Sequence, residues 1–187
     1  ALEAGIDFAT AVRGLDRFRG VDRRFQHKGT VQGIDVFDDY GHHPTEIEAV
    51  LQAFRERFGD RRLVVAFQPH RYTRTKLCWD QFLPCFGLAD RVFIPDIYAA
   101  GEDAIAGVDA TSMIAGVRAS SSVPREGISR IESKEGLTPV MQTTAMMLAK
   151  ELRESGKSPA LFTLGAGDIW KLSTFVLEAL ENESPTK

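Results

Sequence analysis

The chain is poor in the features that mark several large protein classes. It has two cysteines in 187 residues, too few for a disulfide-stapled secreted scaffold. Cys78 and Cys85 are seven apart on a predicted helix, about 10 Å along its axis, too far for a disulfide. Two buried or half-buried thiols in a reducing cytoplasm are the expectation. No apolar run approaches the ~18 residues of a membrane span. Ala1 to Ala11 lacks a basic start and an apolar signal core. The chain opens without an initiator Met, so it reads as a fragment or a processed chain. Neither sign of charge dominates. There are 23 Lys and Arg against 26 Asp and Glu, net −3, which excludes a strongly basic nucleic-acid binder and an acidic tail. No G-x-x-x-x-G-K-[ST] loop is present to grip a triphosphate, and no G-x-S-x-G elbow to raise a nucleophile.

What is present is an ordinary globular composition, 43% hydrophobic and 26% charged, with enough chain to bury a core. No repeat of about 20–50 residues is visible. Ala1 to Leu15 reads as a short helix with Ile6, Ala9 and Val12 on one face. Arg17 to Lys28 is densely charged and suits a hinge, with a boundary near Gly29. Gln32-Gly33 between Phe25–Val31 and Ile34–Phe37 reads as a hairpin. Ile47, Val50, Leu51, Phe54 and Phe58 have helical spacing over Pro44 to Phe58, with Gly59 as the stop.

Leu63 to Phe67, Arg91 to Ile94 and Ala160 to Leu164 are short apolar runs of the kind buried on both faces of a parallel sheet. Between them lie a helix carrying Trp79, Phe82, Leu83 and Phe86, and a weaker one at Ala110–Val117. Ser122 to Ser133 reads as an interrupted strand. A strong helix carries Met141, Ala145, Leu148 and Leu152, and a last one Ile169, Leu172, Val176 and Leu180. The alternation implies an α/β fold: a Rossmann-like, doubly wound, mainly parallel sheet with helices on both faces. Ligands of such sheets sit at the carboxyl ends of the strands.

The loops at those ends hold three of the four histidines. Arg71 and Arg74 are i, i+3 at the opening of a helix, beside His70. Two guanidinium groups there match a carboxylate or a phosphate. The plainer alternative is a solvated basic helix start. Asp39, Tyr40, His42 and His43 precede the helix at Pro44. Asp39 suits a ribose hydroxyl, and one of the two histidines is expected to serve only capping and packing. A metal site ranks low, because adjacent His42 and His43 do not readily face one ion. Gly165-Ala166-Gly167 resembles a phosphate-cradling turn, but Trp170 stands where a dinucleotide fingerprint wants a small residue. Tyr98 to Glu102 suggests no mechanism.

Asp39-Tyr40-Gly41-His42-His43-Pro44-Thr45-Glu46-Ile47 and Gln68-Pro69-His70-Arg71-Tyr72-Thr73-Arg74-Thr75 together resemble the Mur ligase family. Leu15 to Gln26, Tyr98 to Glu102 and Leu164 to Asp168 extend the resemblance in family order over nearly the whole chain. A murein-peptide recycling branch shares the first motif but not His-Arg-Tyr-Thr-Arg, which favours the alanine-adding branch. The resemblance implies the tail of a central ATPase domain over residues 1–24 and a C-terminal Rossmann-like ligand-binding domain over residues 25–187. It implies ATP-dependent activation of the UDP-N-acetylmuramate carboxylate as an acyl phosphate, then attack by the amino group of L-alanine. Arg71 and Arg74 would hold the alanine carboxylate, with His70, His42 and Tyr40 around the amino acid. Asp39 would contact the ATP ribose, and Arg24 would reach the nucleotide phosphates.

The resemblance places magnesium mainly in the central domain, so no metal is expected in this chain. The central and N-terminal domains of the full-length chain are the expected partners, in the bacterial cytoplasm, with neither nucleic acid nor membrane. No general base is evident, and the chain alone is expected to be inactive. Two other readings stay open: a non-catalytic nucleotide- or anion-binding module, and a metal-dependent hydrolase using Asp39, His42 and His70. The Arg pair weighs against the latter, since guanidinium groups repel a cation.

Overall fold

The computed structural model describes residues 2–17, 20–133, 137–156 and 158–182. Among these residues six strands form one sheet: β1 (Gln26–Val31), β2 (Ile34–Asp39), β3 (Leu63–Phe67), β4 (Arg91–Ile94), β5 (Ile128–Arg130) and β6 (Ala160–Leu164). The helices are α1 (Phe8–Asp16), α2 (Pro44–Phe58), α3 (Tyr72–Leu77), α4 (Trp79–Phe82), α5 (Ala110–Ser120), α6 (Met141–Glu154) and α7 (Trp170–Asn182). The sheet order is β1-β2-β6-β3-β4-β5. Only β1 and β2 pair antiparallel; every other neighbouring pair is parallel. The mainly parallel Rossmann-like sheet expected from the alternation is what forms.

The hairpin between β1 and β2 turns at Gln32 and Gly33, both with positive φ (53° and 78°). Two such residues give the tight turn whose twist matches paired strands. Strand alternation then sorts the core into two layers. Phe37, Val65, Phe67, Val92, Ile94 and Phe162 pack with α2, α4 and α5 on one face. Val36, Val64, Ala66, Phe93 and Leu161 pack with α6 and α7 on the other. The Phe162 and Phe37 rings stack at 4.8 Å and 8°. Both β2 and β3 pair with β6, so Asp39, Leu164 and Phe67 end side by side at one edge of the sheet.

Several sequence expectations change. The single helix expected to open at Arg71 and Arg74 and to carry Trp79, Phe82, Leu83 and Phe86 is two short helices, α3 and α4, broken at Cys78 (φ −101°, ψ 16°). Cys78 and Cys85 therefore do not share a helix face, although both are free and buried. Ser122–Ser133 contributes only β5, preceded by a 3-10 turn at Arg125–Gly127, because Pro124 and the turn interrupt the pairing. The first helix is a 3-10 turn at Leu2–Ala4 and then α1, separated at Gly5 (φ 75°). The face carrying Ile6 and Val12 is exposed, at 43% and 36%. β2 runs two residues past Phe37, because Asp38 and Asp39 pair with Thr163 and Leu164.

Candidate functional site

The site is built from the loops that leave β2, β3, β4 and β6 at their carboxyl ends. Gln68, buried just after β3, ties two of them together. Its side-chain oxygen accepts the Ile169 N–H at 3.1 Å, and its amide donates to Asp168 at 2.9 Å. Asp168 also accepts from the Thr138 hydroxyl at 2.7 Å. Gly165, at φ 144°, passes so close to Gln68 that an added Cβ would lie 2.8 Å from its carbonyl oxygen. The Gly-Ala-Gly turn is thus a close-packed junction between β6 and β3.

The loop after β4 continues the sheet beyond β3. Tyr98 N–H donates to the Pro69 carbonyl at 2.8 Å, and Arg71 N–H donates to the Tyr98 carbonyl at 2.8 Å. These bonds stack the Tyr98 ring on His70, 5.5 Å between centroids at 9°. They also hold Arg71 at φ 69°, the left-handed backbone from which α3 starts. Arg74, one turn on, donates from Nη1 to His70 Nδ1 at 3.2 Å. Glu102 accepts the Thr73 N–H at 2.9 Å and its hydroxyl at 2.7 Å. Those bonds, with the Arg71 charge, hold its carboxyl below the usual range against slight desolvation. Burial, followed by the charges of Arg74, His42 and Arg71, holds the His70 imidazole below its ordinary value.

On the β2 side Asp39 is buried. Its two oxygens accept the backbone N–H groups of Phe25 and Gly41, each at 2.6 Å. Asp38 is also buried; it accepts from the Thr163 hydroxyl at 2.6 Å and from Arg23 Nε at 3.2 Å. Burial still leaves its carboxyl above the usual range, despite Thr163 and Arg23. Arg23 also donates to the Gly165 carbonyl and lies 4.8 Å from the Tyr40 ring. Arg24 is more exposed, 5.7 Å from the same ring and 3.7 Å from Glu46.

The tandem histidines separate by role. His43 caps α2, accepting the Thr45 N–H, with Glu46 returning the cap by accepting the His43 N–H. Its Nε2 lies 3.6 Å from Cys78 Sγ. His42 lies toward the cleft: its Nδ1 bonds the Tyr40 carbonyl at 2.9 Å, and its ring is 6.1 Å from His70. Burial pulls the Glu46 carboxyl upward, but the N–H groups of His42 and His43 and the charges of His42 and Arg24 hold it below its usual range.

Tyr40, His42, His70, Arg71 and Arg74 therefore gather at one edge, with Asp39 and Arg24 on the β2 side. Arg23, Gln68, Tyr98, Asp168 and Thr138 were not singled out as site residues by sequence reasoning. For Gln68 the signal was its place directly after a buried strand; for Tyr98 it was only its place in a motif of the family resemblance, because its partner His70 is a loop residue 28 positions away. Among the described residues no three His, Cys, Asp or Glu side chains come together as a cation site, and no helix is long and apolar enough to cross a membrane. Nor does any described contact place Arg71 or Arg74 in an ion pair. In contrast, Arg23, Arg55, Arg61, Arg62, Arg91 and Arg130 each meet a carboxylate.

The chain is similar to UDP-N-acetylmuramate–L-alanine ligases from Bdellovibrio bacteriovorus (46% identity over 177 residues, 95% of this chain) and Desulfosudis oleivorans (43% over 180 residues, 96%). It spans 36% of the length of each of these curated relatives. The crystal structure of UDP-N-acetylmuramate-alanine ligase from Thermotoga maritima superposes with a TM-score of 0.68 at 26% identity, covering 97% of this chain and 35% of that one. A murein peptide ligase from Psychrobacter arcticus shares the fold, with a TM-score of 0.65 at 23% identity over 99% of this chain and 35% of that one. The family model described as Mur ligase, glutamate ligase domain, matches residues 23–155, and the chain belongs to the Mur ligase family.

Proposed function

We propose that this chain is the C-terminal part of an ATP-dependent ligase that adds L-alanine to UDP-N-acetylmuramate in peptidoglycan synthesis, in the bacterial cytoplasm. One observation carries the reading. Arg71 and Arg74 stand one helical turn apart at the carboxyl edge of a parallel sheet, and neither is in an ion pair among the described residues, although the Glu102 carboxylate feels the Arg71 charge. Two guanidinium groups so placed are matched to a small carboxylate ligand.

In this reading Arg71 and Arg74 hold the alanine carboxylate. His70 and His42 flank the amino acid, and Tyr40 closes one side. Asp39, whose oxygens each keep a second lone pair, reaches the ATP ribose, and Arg24 reaches the nucleotide phosphates. Residues 1–24 belong to the central domain, which with the N-terminal domain supplies the UDP-sugar site, the P-loop and the main magnesium ligands. What this chain's own residues contribute is position: an amine held beside an acyl phosphate with water excluded lowers the barrier by several kcal/mol.

The test is Arg71→Ala and Arg74→Ala in the full-length ligase. Each is expected to raise KM for alanine by an amount equivalent to about 2–5 kcal/mol. An unchanged KM removes the pair from the site. The 187-residue chain alone is expected to show neither ligase nor ATPase activity, and turnover by it would refute the division of labour.

A further inference from the structure

His42 and His70 use the same ring nitrogen for opposite purposes. Nδ1 of His42 lies 2.9 Å from the Tyr40 carbonyl, with Glu46 Oε2 at 3.5 Å. Both partners only accept, so this nitrogen carries the proton. In the neutral ring Nε2 is then a bare acceptor. Nδ1 of His70 lies 3.2 Å from Arg74 Nη1. A guanidinium only donates, so this nitrogen is bare and the neutral ring carries its proton on Nε2. The Tyr98 ring, stacked on His70, holds the imidazole plane. Burial and the Arg74 and Arg71 guanidinium groups disfavour protonation of that ring, with Glu102 opposing them.

The two rings, 6.1 Å apart, thus offer one acceptor and one donor. An α-amino acid carries the matching pair, an amine that gives up a proton and a carboxylate that accepts a hydrogen bond. We infer that His42 Nε2 takes the proton from the amino group of the incoming amino acid and that His70 Nε2–H donates to its carboxylate. The Tyr40 carbonyl and Arg74 are the positioning groups that set the two tautomers. The inference rests on the ligase reading above. In the step itself one ammonium N–H bond breaks, its electron pair stays on nitrogen as the attacking lone pair, and the proton bonds to His42 Nε2. The imidazolium formed keeps its Nδ1–H on the Tyr40 carbonyl, beside the Glu46 carboxylate.

The tautomers are read by long-range 1H–15N correlation spectra of the 187-residue chain at about pH 8, where unperturbed imidazoles are neutral. The expected result is a protonated Nδ1 at His42 and a protonated Nε2 at His70. Histidine in water favours the Nε2–H form, so His42 is the ring whose tautomer the fold must impose. Two Nε2–H rings, or a mixture at either, overturn the assignment. Arg74→Ala is expected to loosen the ratio at His70 while leaving His42 unchanged, and Arg74→Lys, which keeps a donor, to restore it. The amide spectrum reports whether each variant is folded, and an unaltered His70 ratio in folded Arg74→Ala removes Arg74 as its positioning residue.

In the full-length ligase His42→Gln, which has no basic nitrogen, is expected to lower kcat about 100-fold with little change in alanine KM. His70→Ala is expected to raise that KM about tenfold or more, and His70→Gln, with an amide N–H near the Nε2 position, to recover much of it. If His42→Gln keeps its kcat, the proton-acceptor role is wrong even where the tautomers are right. If instead Arg71→Ala and Arg74→Ala leave KM unchanged, the ligase reading itself is at fault.

Discussion

Asp39 Oδ2 accepts the backbone N–H of Phe25 at 2.6 Å and, with the bonds of Arg23 to Asp38 and Gly165, holds the incoming chain against the end of β2. The other oxygen of the same carboxylate holds the Gly41 N–H at 2.6 Å, so one side chain fixes both the hinge and the loop that carries Tyr40 and His42. Asp39→Ala strands both donors. At ~1–3 kcal/mol for each of the two unsatisfied groups, the loss of stability is expected to be about 2–6 kcal/mol. Urea denaturation measures it. A loss below about 0.5 kcal/mol would show that water replaces the carboxylate freely. Raised KM for ATP in the full-length enzyme, beyond what instability explains, separates the ribose contact from the structural one.

Gly167→Ala attacks the junction between the β6 and β4 loops. The added methyl would overlap the Gln68 side-chain oxygen and come within 2.9 Å of Tyr98 Cγ. Crowding of this kind costs about 1–3 kcal/mol. The Tyr98 ring must move off His70, so its aromatic proton shifts are expected to change along with the midpoint. Wild-type shifts and an unchanged midpoint together would contradict this packing.

The depressed His70 imidazole sets a sign for pH dependence. Burial comes first among its causes, then Arg74, His42 and Arg71, with Glu102 opposing. The folded state favours the neutral ring, so below the ordinary value of 6.5 the unfolded chain binds more protons. The contribution is full above about pH 6.5 and is lost as pH falls through the folded-state value. Wild type is therefore expected to lose stability relative to His70→Gln as pH falls below about 6.5. Denaturation curves of both proteins across that range decide it, and a difference that stays flat or grows in the other direction rejects the assignment.

Phe162→Ala probes the centre of the sheet. Its ring is fully buried, stacked on Phe37 and edge-on to Phe25 and Phe54 at 5.0 and 5.7 Å. Truncation leaves a cavity and is expected to cost about 3–5 kcal/mol. Phe162→Leu, which refills most of the volume, is expected to cost less than half of that. Equal losses would mean that volume is not what the site requires.

Where burial is written into local spacing, the sequence was readable. Pro44 to Phe58 is helical to the residue, because its apolar positions repeat at the helical period between a first-turn Pro and a Gly stop. Leu63–Phe67, Arg91–Ile94 and Ala160–Leu164 are strands as expected, because a short run apolar on both faces suits a covered parallel sheet. The stretch from Tyr72 to Phe86 was misread for the opposite reason. Its aromatic spacing fits one long helix, yet the chain breaks at Cys78 and turns so that both Phe82 and Phe86 reach Phe67.

The sequence alone determined α2, the buried strands β3, β4 and β6, the hairpin turn at Gln32-Gly33 and the concentration of ionisable side chains after the strands, since each depends on neighbours a few positions apart. Tertiary structure decided what faces what. β6, last in the chain, lies between β2 and β3, and only that placement brings Gly165 against Gln68. Pairing beyond the strand ends sets Tyr98 on His70, and helix capping assigns His43 to structure while His42 stays at the cleft. Contacts between distant segments follow from how two packed faces and one strand order fit together, and no local periodicity encodes that.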